Sequence, residues 1–305
     1  MAWTTRNGVY VALIVLIAFN LVATRGFATV DNARLQLVQV VPVAIIALGM
    51  AVVIGTRGID LSVGSVMAIS SALLALYLGY GAVVAIAVAL VGGLLVGLVN
   101  GVLIARFGIQ PIVATLALLV GGRGLALVIA NGRLTEIFDP TLGIIGSARV
   151  GGVPLVVLVA VAIAVVVAVL ITRTTFGRYV VAIGGNPEAS ALAGVPVRRV
   201  ILGAYVLCAV LAAVAGIIQT ARLSAADPSF VGNLIELSAI TAVVVGGTPL
   251  SGGRVRILGT LAGALLMQLI GATLISHNLP DSATRMVQAL IILAAVFVQR
   301  DRALS

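Results

Sequence analysis

The sequence predicts an all-α, polytopic membrane protein with about ten transmembrane helices and both termini in the cytoplasm. Of its 305 residues, 62% are hydrophobic and only 9% are charged, and the mean hydropathy is +1.28. A soluble domain carries about a quarter charged residues. Because the apolar runs recur from end to end, we expect residues 1–305 to form a single transmembrane domain with no separate soluble module.

The first apolar run, 8–25, follows Arg6 and could mimic a signal peptide, but it lacks a convincing cleavage site and many further runs follow. We therefore expect an uncleaved first helix. Most later runs have the ~17–24 residues that cross a bilayer as a helix. The eighth is the shortest, and glycines with a few polar residues separate the second, third and fourth. These nine spans are predicted at 38–56, 61–79, 82–105, 111–130, 153–172, 200–221, 236–249, 257–276 and 283–299.

Small residues indicate how some of these helices pack. Gly93, Gly97 and Gly101 recur every four residues in the fourth span, and Gly259 and Gly263 do so in the ninth. Such stripes let a second helix approach closely. The segments 51–56 and 242–248 are also similar, which indicates either an ancestral duplication or convergence of apolar sequence.

The charges predict the orientation. All 18 basic residues are arginine, and they are scattered singly between apolar runs, which favours the positive-inside rule over nucleic-acid binding. With the N-terminus inside, eleven arginines lie in cytoplasmic segments and six outside, where five acids accompany them. The absence of lysine excludes a P-loop lysine and Schiff-base chemistry. Cys208 and His277 are each the only residue of their type, so we expect no disulfide and no metal site.

The cytoplasmic loop 173–199 contains a segment that specifies a short helix. Asn186 is a good N-cap, Pro187 suits the first helical position, and Glu188 favours the positive end of the helix dipole. Gly194 can adopt the left-handed conformation that ends a helix. So short a helix is unstable alone in water. It therefore packs on its own membrane domain or docks on a partner protein, through residues Asn186, Pro187, Glu188, Ala189, Ser190, Leu192 and Gly194.

The corner between the second and third spans carries a second motif, formed by Gly58, Asp60, Ser62 and Gly64. Asp60 or Ser62 can cap the third span, and Gly58 breaks the preceding helix. A tight helix–helix corner without a further role accounts for most of this pattern.

Three segments together resemble the ribose-type sugar ABC permeases: GIDLSVGS at 58–65, RTTFGRYVVAIGGNPEASALAGV at 173–195 and VVVGGTPLSGGRVRILGT at 243–260. A fourth, IQTARLS at 218–224, also matches, and the resemblance spans about 40–300 in the correct order. It implies a permease subunit without its own ATPase site. It also implies that residues 186–194 are the coupling helix, which docks on an ATPase. The segment Leu250-Ser251-Gly252-Gly253-Arg254 imitates an ATPase signature motif, but no phosphate-binding loop accompanies it, so we interpret it as a glycine turn.

The partners that the resemblance implies are a second permease, identical or paralogous, two ABC ATPases and an extracytoplasmic sugar-binding protein. ATP and Mg²⁺ would bind to the ATPases, and this chain would hold no cofactor. The expected function is monosaccharide import across the bacterial inner membrane by alternating access. The alternatives are a permease for a non-sugar solute such as branched-chain amino acids, or an ion-coupled secondary transporter.

Polar residues within the predicted spans are candidates for lining the translocation path, because such residues are costly in lipid and mark solute pathways. Arg123 is the most informative, since burial of arginine at mid-membrane costs about 2.5–3.5 kcal/mol or more. The alternative for Arg123 is that its side chain extends to the membrane surface. The six candidates are Arg123, Gln219, Glu236, Ser238, Thr241 and Gln268.

Overall fold

The structure is a computed structural model. It describes residues 2–280 together with 282–283, 286–287, 289–291 and 293. Eight long helices account for most of the described chain. They are α1 (Ala2–Ala23), α2 (Val30–Gly55), α3 (Val63–Tyr77, continued by a 3₁₀ turn at Leu78–Tyr80), α4 (Ala82–Ala105), α5 (Pro111–Ile129), α7 (Leu155–Arg173), α10 (Val197–Leu223) and α12 (Ile257–Ser276).

Shorter elements complete the described chain. Four short helices are α6 (Pro140–Ser147), α8 (Thr175–Gly185), α9 (Pro187–Leu192) and α11 (Ile235–Val245). Four two-residue strands are β1 (Thr135–Glu136), β2 (Arg149–Val150), β3 (Val153–Pro154) and β4 (Ala225–Ala226). β1 pairs antiparallel with β4, and β2 with β3. The first pair ties the long loop after α5 to the end of α10.

Seven described helices are long and apolar enough to cross a membrane: α2, α3 with its 3₁₀ turn, α4, α5, α7, α10 and α12. The chain is an all-α, polytopic membrane protein, as predicted. The bounds of α4 and α12 coincide with the predicted spans 82–105 and 257–276. The first predicted span corresponds to the apolar part of α1, Gly8–Ala23. The tenth, 283–299, lies largely outside the described residues.

The eighth predicted span, 236–249, is wrong as a full crossing. α11 has 11 residues, which at 1.5 Å per residue is about 16 Å, roughly half of the hydrocarbon thickness. It begins after Leu234, which has a left-handed φ of 56°, and it ends at Gly246, before Gly247 with φ 89°. α11 is therefore a half-length helix.

Two further boundaries differ from the sequence pattern. α2 begins at Val30 instead of near residue 38, because Thr29 caps it: the Thr29 hydroxyl accepts a hydrogen bond from the Asn32 N–H at 3.3 Å. Asp139–Pro140, a pair of residue types common in turns, begins α6, with the Asp139 carboxylate accepting from the Thr141 and Leu142 N–H groups. A polar N-cap precedes each helix, and hydropathy alone does not detect such caps.

The core is built around α2 and α10. α2 is buried from Val40 to Gly55 except at the half-buried Val43, and α10 packs against α2, α3 and α4. The predicted glycine stripe of α4 is confirmed: Cβ atoms added at Gly93, Gly97 and Gly101 would all collide with α10. Gly259 and Gly263 of α12 meet the backbone of Gly246, which follows α11, and of Ala242 in α11 in the same way. Small residues therefore set the distances between these helices.

α3 begins well inside the bundle. It runs parallel to α10, since Met67 lies against Gly216 and, one turn later, the Thr220 hydroxyl donates to the Ser71 hydroxyl at 2.7 Å. At that register the first residue of α3 lies beside the middle of α10, about 22 Å along the axis from Val197. The α2–α3 corner therefore leads from the end of α2 into the interior of the bundle.

Candidate functional site

The short helix α9 forms as the sequence predicts. The Asn186 side chain accepts a hydrogen bond from the Ala189 N–H at 3.0 Å, and Pro187 occupies the first helical position. The Ser190 hydroxyl donates to the Asn186 carbonyl at 2.7 Å. Gly194 has φ +80°, the left-handed conformation that ends the helix. These caps account for the bounds of a helix of only six residues.

Most of α9 lies on the surface of the described chain. Leu192 is 92% exposed, and Glu188, Ala189 and Gly194 are exposed as well, whereas Ser190 is buried. An apolar leucine at the tip of so short a helix makes no use of the hydrophobic effect within this chain. α9 packs on the rest of the chain through the buried Ser190 and contacts α8 and α10, whereas its remaining surface is left uncovered by this chain.

The α2–α3 corner differs in detail from the prediction. Ser62 occupies the N-cap position of α3, but its side chain makes no capping bond. The Asp60 carboxylate instead accepts from the Ser62 N–H at 3.0 Å and from the Ser62 hydroxyl at 2.6 Å. Neither residue therefore caps α3 in the expected way, because Asp60 holds Ser62 within the corner.

The left-handed residue of this corner is Arg57, with φ 68°, and not Gly58. A Cβ at Gly58 would overlap with the hydroxyl of Tyr205, so glycine is needed there for space. The corner thus wraps around a buried tyrosine of α10. Gly64 is also needed for space, since a Cβ there would meet the backbone of Gly232 and the Glu236 carboxylate.

A buried polar group at this corner was missed by the sequence reasoning. The Asn100 side chain, on α4, donates to the Ser62 hydroxyl at 2.8 Å. Asp60, Ser62 and Asn100 are each 0% exposed. One oxygen of Asp60 and the carbonyl oxygen of Asn100 have no hydrogen-bond partner within the described part of the chain. A signal was present, since Asn100 is a polar residue in an otherwise apolar span.

Arg123 points into the protein rather than to a membrane surface. From α5, its guanidinium donates to the carbonyls of Pro228 and Val231, both at 2.7 Å, and of Gly232 at 3.1 Å. These carbonyls belong to the loop between α10 and α11. Arg123 therefore holds in place the loop that separates α10 from α11.

Glu236 lies in the first turn of α11, beside the loop that Arg123 binds. It is 5% exposed, and one carboxylate oxygen has no hydrogen-bond partner among the described residues. Because Gly232 and Gly64 touch through their backbones, the N-termini of α11 and α3 meet inside the bundle. The positive ends of both helix dipoles thus face one region, which favours the Glu236 carboxylate.

The other path candidates do not join this region in a single site. Gln268 donates to the side chains of Gln36 at 3.1 Å and Gln39 at 2.7 Å, both on α2. The Thr241 hydroxyl donates to the carbonyl of Leu237 in its own helix. Gln219 and Ser238 are partly buried. Two polar places therefore result: the break at Arg123 and Glu236, and a glutamine cluster between α2 and α12.

Within the residues that the structure describes, no three His, Cys, Asp or Glu side chains come together as a metal site requires. Cys208 is buried and reduced. His277 lies near Thr24, with Nε2 3.4 Å from the hydroxyl oxygen, where α12 ends beside α1.

The chain matches a known family over residues 33–296, described as "Branched-chain amino acid transport system / permease component". It is 39% identical to the ribose import permease protein of Escherichia coli, over 99% of this chain and 95% of that protein. It is 38% identical to the galactofuranose transporter permease protein of Escherichia coli (99% and 92%) and 36% identical to the fructose import permease protein of Bifidobacterium longum (84% and 74%). No solved structure matches the chain.

Proposed function

Because the chain belongs to this family of transport-system permease components, we propose that it is the membrane permease of an ATP-driven importer that carries a monosaccharide into the cytoplasm. One observation carries the sugar assignment. The relatives that align with nearly the whole chain, at 38–39% identity, are named as ribose and galactofuranose permeases. Branched-chain amino acids, which the family description names, are the second candidate substrates.

The energy source in this proposal is ATP, bound with Mg²⁺ by partner ATPase subunits. The chain contains no lysine, so it has no P-loop lysine to hold the β- and γ-phosphates. A second permease subunit and an extracytoplasmic sugar-binding protein would complete the importer. The binding protein would supply most of the affinity, because this chain is only 4% aromatic and offers few rings for a sugar to stack on.

In this proposal α9 is the docking helix for the ATPase. Three features support the role: its caps specify a defined helix, its surface is exposed, and Leu192 projects an apolar side chain that a partner can cover. An amphipathic or apolar helix tip that fits a groove is a common mode of recognition between proteins. Rotation of the ATPases would then move α9 against the membrane domain.

The translocation path would pass the break between α10 and α11. Helix N-termini that meet near the middle of a bundle are typical of transporter substrate sites, and the N-termini of α3 and of the half-length α11 meet in this way. Glu236 would accept hydrogen bonds from sugar hydroxyls there, and Arg123 would hold the loop that shapes the site. Gln219, Ser238, Thr241 and Gln268 remain candidates for other parts of the path.

The test is reconstitution of the permease with its ATPases and binding protein in liposomes. We expect ATP-dependent accumulation of radiolabelled monosaccharide, with ribose, arabinose and fructose compared in parallel and leucine as the amino-acid alternative. Omission of ATP is the control and should abolish uptake. Uptake of leucine but of none of the sugars would assign the second candidate, and uptake without any ATPase partner would contradict the importer assignment.

A further inference from the structure

Glycines from three separate segments meet directly behind α9. They are Gly55 at the end of α2, Gly184 in the last turn of α8, and Gly252 and Gly253 in the loop before α12. The Gly253 N–H donates to the Gly55 carbonyl at 3.1 Å. A Cβ at Gly184 would overlap with the backbone atoms of both Gly55 and Gly253. We call these four residues the glycine junction, in which three backbones touch with no side chain between them.

The Arg57 side chain forms hydrogen bonds at the glycine junction. Its Nε donates to the Gly184 carbonyl at 2.8 Å, and a terminal guanidinium nitrogen donates to the Gly185 carbonyl. Its own backbone takes the left-handed conformation, with φ 68°, which costs about 1–2 kcal/mol for a residue with a Cβ. The surrounding contacts must over-determine such a conformation for it to persist. A cation at the C-terminal carbonyls of α8 is also favoured by the helix dipole.

The hydrogen bonds of Arg57 lie at the N-terminal end of α9. Gly185 directly precedes Asn186, the N-cap of α9, and α9 itself is largely exposed. A force applied to α9 therefore reaches the membrane domain at its N-terminal end through Gly184 and Gly185, and at its C-terminal end through the short connection to α10. Arg57 connects these two residues to the corner that joins α2 to the start of α3.

We propose that Arg57 is a positioning residue that couples movement of α9 to the α2–α3 corner, and through it to the helix ends beside the translocation path. This inference rests on the proposed function. The glycine junction transmits a push by direct contact, whereas a pull that draws α9 away from the membrane domain requires hydrogen bonds. Arg57 supplies two of these, with the planar donor geometry that lysine lacks.

The test uses the complete transporter in liposomes, with the sugar delivered and the ATP hydrolysed measured in the same sample. In Arg57→Gln, we expect the ratio of sugar to ATP to fall about tenfold, the size of a coupling free energy of about 1.4 kcal/mol. Arg57→Lys keeps the charge and should recover part of the ratio. Arg254→Gln is the matched control, because Arg254 is an exposed arginine next to Gly253 and makes no side-chain bond within the described part of the chain.

The outcomes separate coupling from a merely structural role. Assembly with the ATPases and the melting temperature are measured for every variant. A lower ratio in a fully assembled Arg57→Gln complex supports the proposal. An unchanged ratio, with or without a lower melting temperature, overturns it, and so does loss of ATPase assembly in both Arg57 variants. If the unaltered complex accumulates no sugar, the proposed function itself fails, and that result is distinct from equal ratios in variant and unaltered complexes.

Discussion

At the residue scale, Arg123 shows how a charged side chain is accommodated inside an apolar bundle. Its guanidinium meets three backbone carbonyls of the α10–α11 loop, with Glu236 nearby. Those carbonyls would otherwise be unpaired, since a loop has no regular ladder of hydrogen bonds. Arg123 therefore pairs the carbonyls of the loop, and these carbonyls in turn take the place of water around its guanidinium.

Replacement of Arg123 should loosen this loop. Hydrogen bonds from charged donors contribute about 1.5–3 kcal/mol each, and buried carbonyls left unpaired add to the loss. We expect Arg123→Gln to lower the melting temperature in detergent by roughly 5–10 °C. Arg123→Lys should restore little, because an ammonium cannot reach three carbonyls in a fork. Arg133→Gln, at an exposed position in the outer loop, is the control, and equal melting of both variants would contradict this role.

Single residues were predictable from the sequence where their type is rare in a membrane. Arg123 and Glu236 were identified because charges in apolar spans are costly. Their partners were not, because the loop carbonyls lie more than a hundred residues away from Arg123 and carbonyls have no sequence signature. The same limit applies to Gly58, whose need for space depends on Tyr205 of a distant helix.

At the element scale, α9 was predicted from the local sequence because its caps are local. Asn186, Pro187 and Gly194 each act within a few residues of the helix. α11 was predicted less well, because hydropathy reports an apolar stretch but not where the stretch begins and ends in the bundle. The left-handed Leu234 that precedes α11 has no local signal, because a leucine rarely takes that conformation.

Changes in α9 should uncouple the transporter. Glu188→Arg places a positive charge at the positive end of the helix dipole, and Gly194→Pro forbids the observed φ of +80°. We expect both variants to insert into the membrane and to support ATP hydrolysis, with sugar uptake strongly reduced. Glu136→Arg, in an exposed outer strand, is the control for charge reversal. Unchanged uptake in both α9 variants would exclude a docking role.

The contact between α4 and α10 depends on the glycine stripe. A Cβ at Gly97 would lie 2.8 Å from atoms of both Val206 and Ala209, so Gly97→Ala should destabilise the protein by about 1–3 kcal/mol through overpacking. At Gly121 of α5, nothing lies within 4 Å of an added Cβ. Gly121→Ala should therefore be neutral or stabilise by up to about 1 kcal/mol. Melting of the purified subunit tests the pair, and equal effects would contradict the packing explanation.

At the scale of the whole molecule, two of the segments that connect helices lie against each other inside the bundle. The α2–α3 corner and the α10–α11 loop meet where Gly64 and Gly232 touch. The α2–α3 corner contacts the residues before α9 through Arg57. The α10–α11 loop accepts hydrogen bonds from Arg123 and leads into the first turn of α11, which contains Glu236. Contacts thus run from α9 through Arg57 and the α2–α3 corner to the loop that holds Arg123 and Glu236. The sequence predicts the helix α9 and singles out Arg123 and Glu236 as charges within spans, but only the three-dimensional structure connects them.

This arrangement makes the orientation of the chain testable. If α9 meets a cytoplasmic ATPase, the strands and α6 on the opposite side must face outward, as the arginine distribution also predicts. Cys208 is the only cysteine and is buried, so the unaltered protein should react little with a membrane-impermeant maleimide. Two exposed positions serve as probes: Leu192 in α9, 92% exposed, and Phe138 in the outer loop, 85% exposed. With the permease expressed alone, intact spheroplasts should label Phe138→Cys, whereas Leu192→Cys should react only after permeabilisation. Labelling of Leu192→Cys from outside would place α9 on the wrong face for ATP-driven docking and would contradict the coupling scheme as a whole.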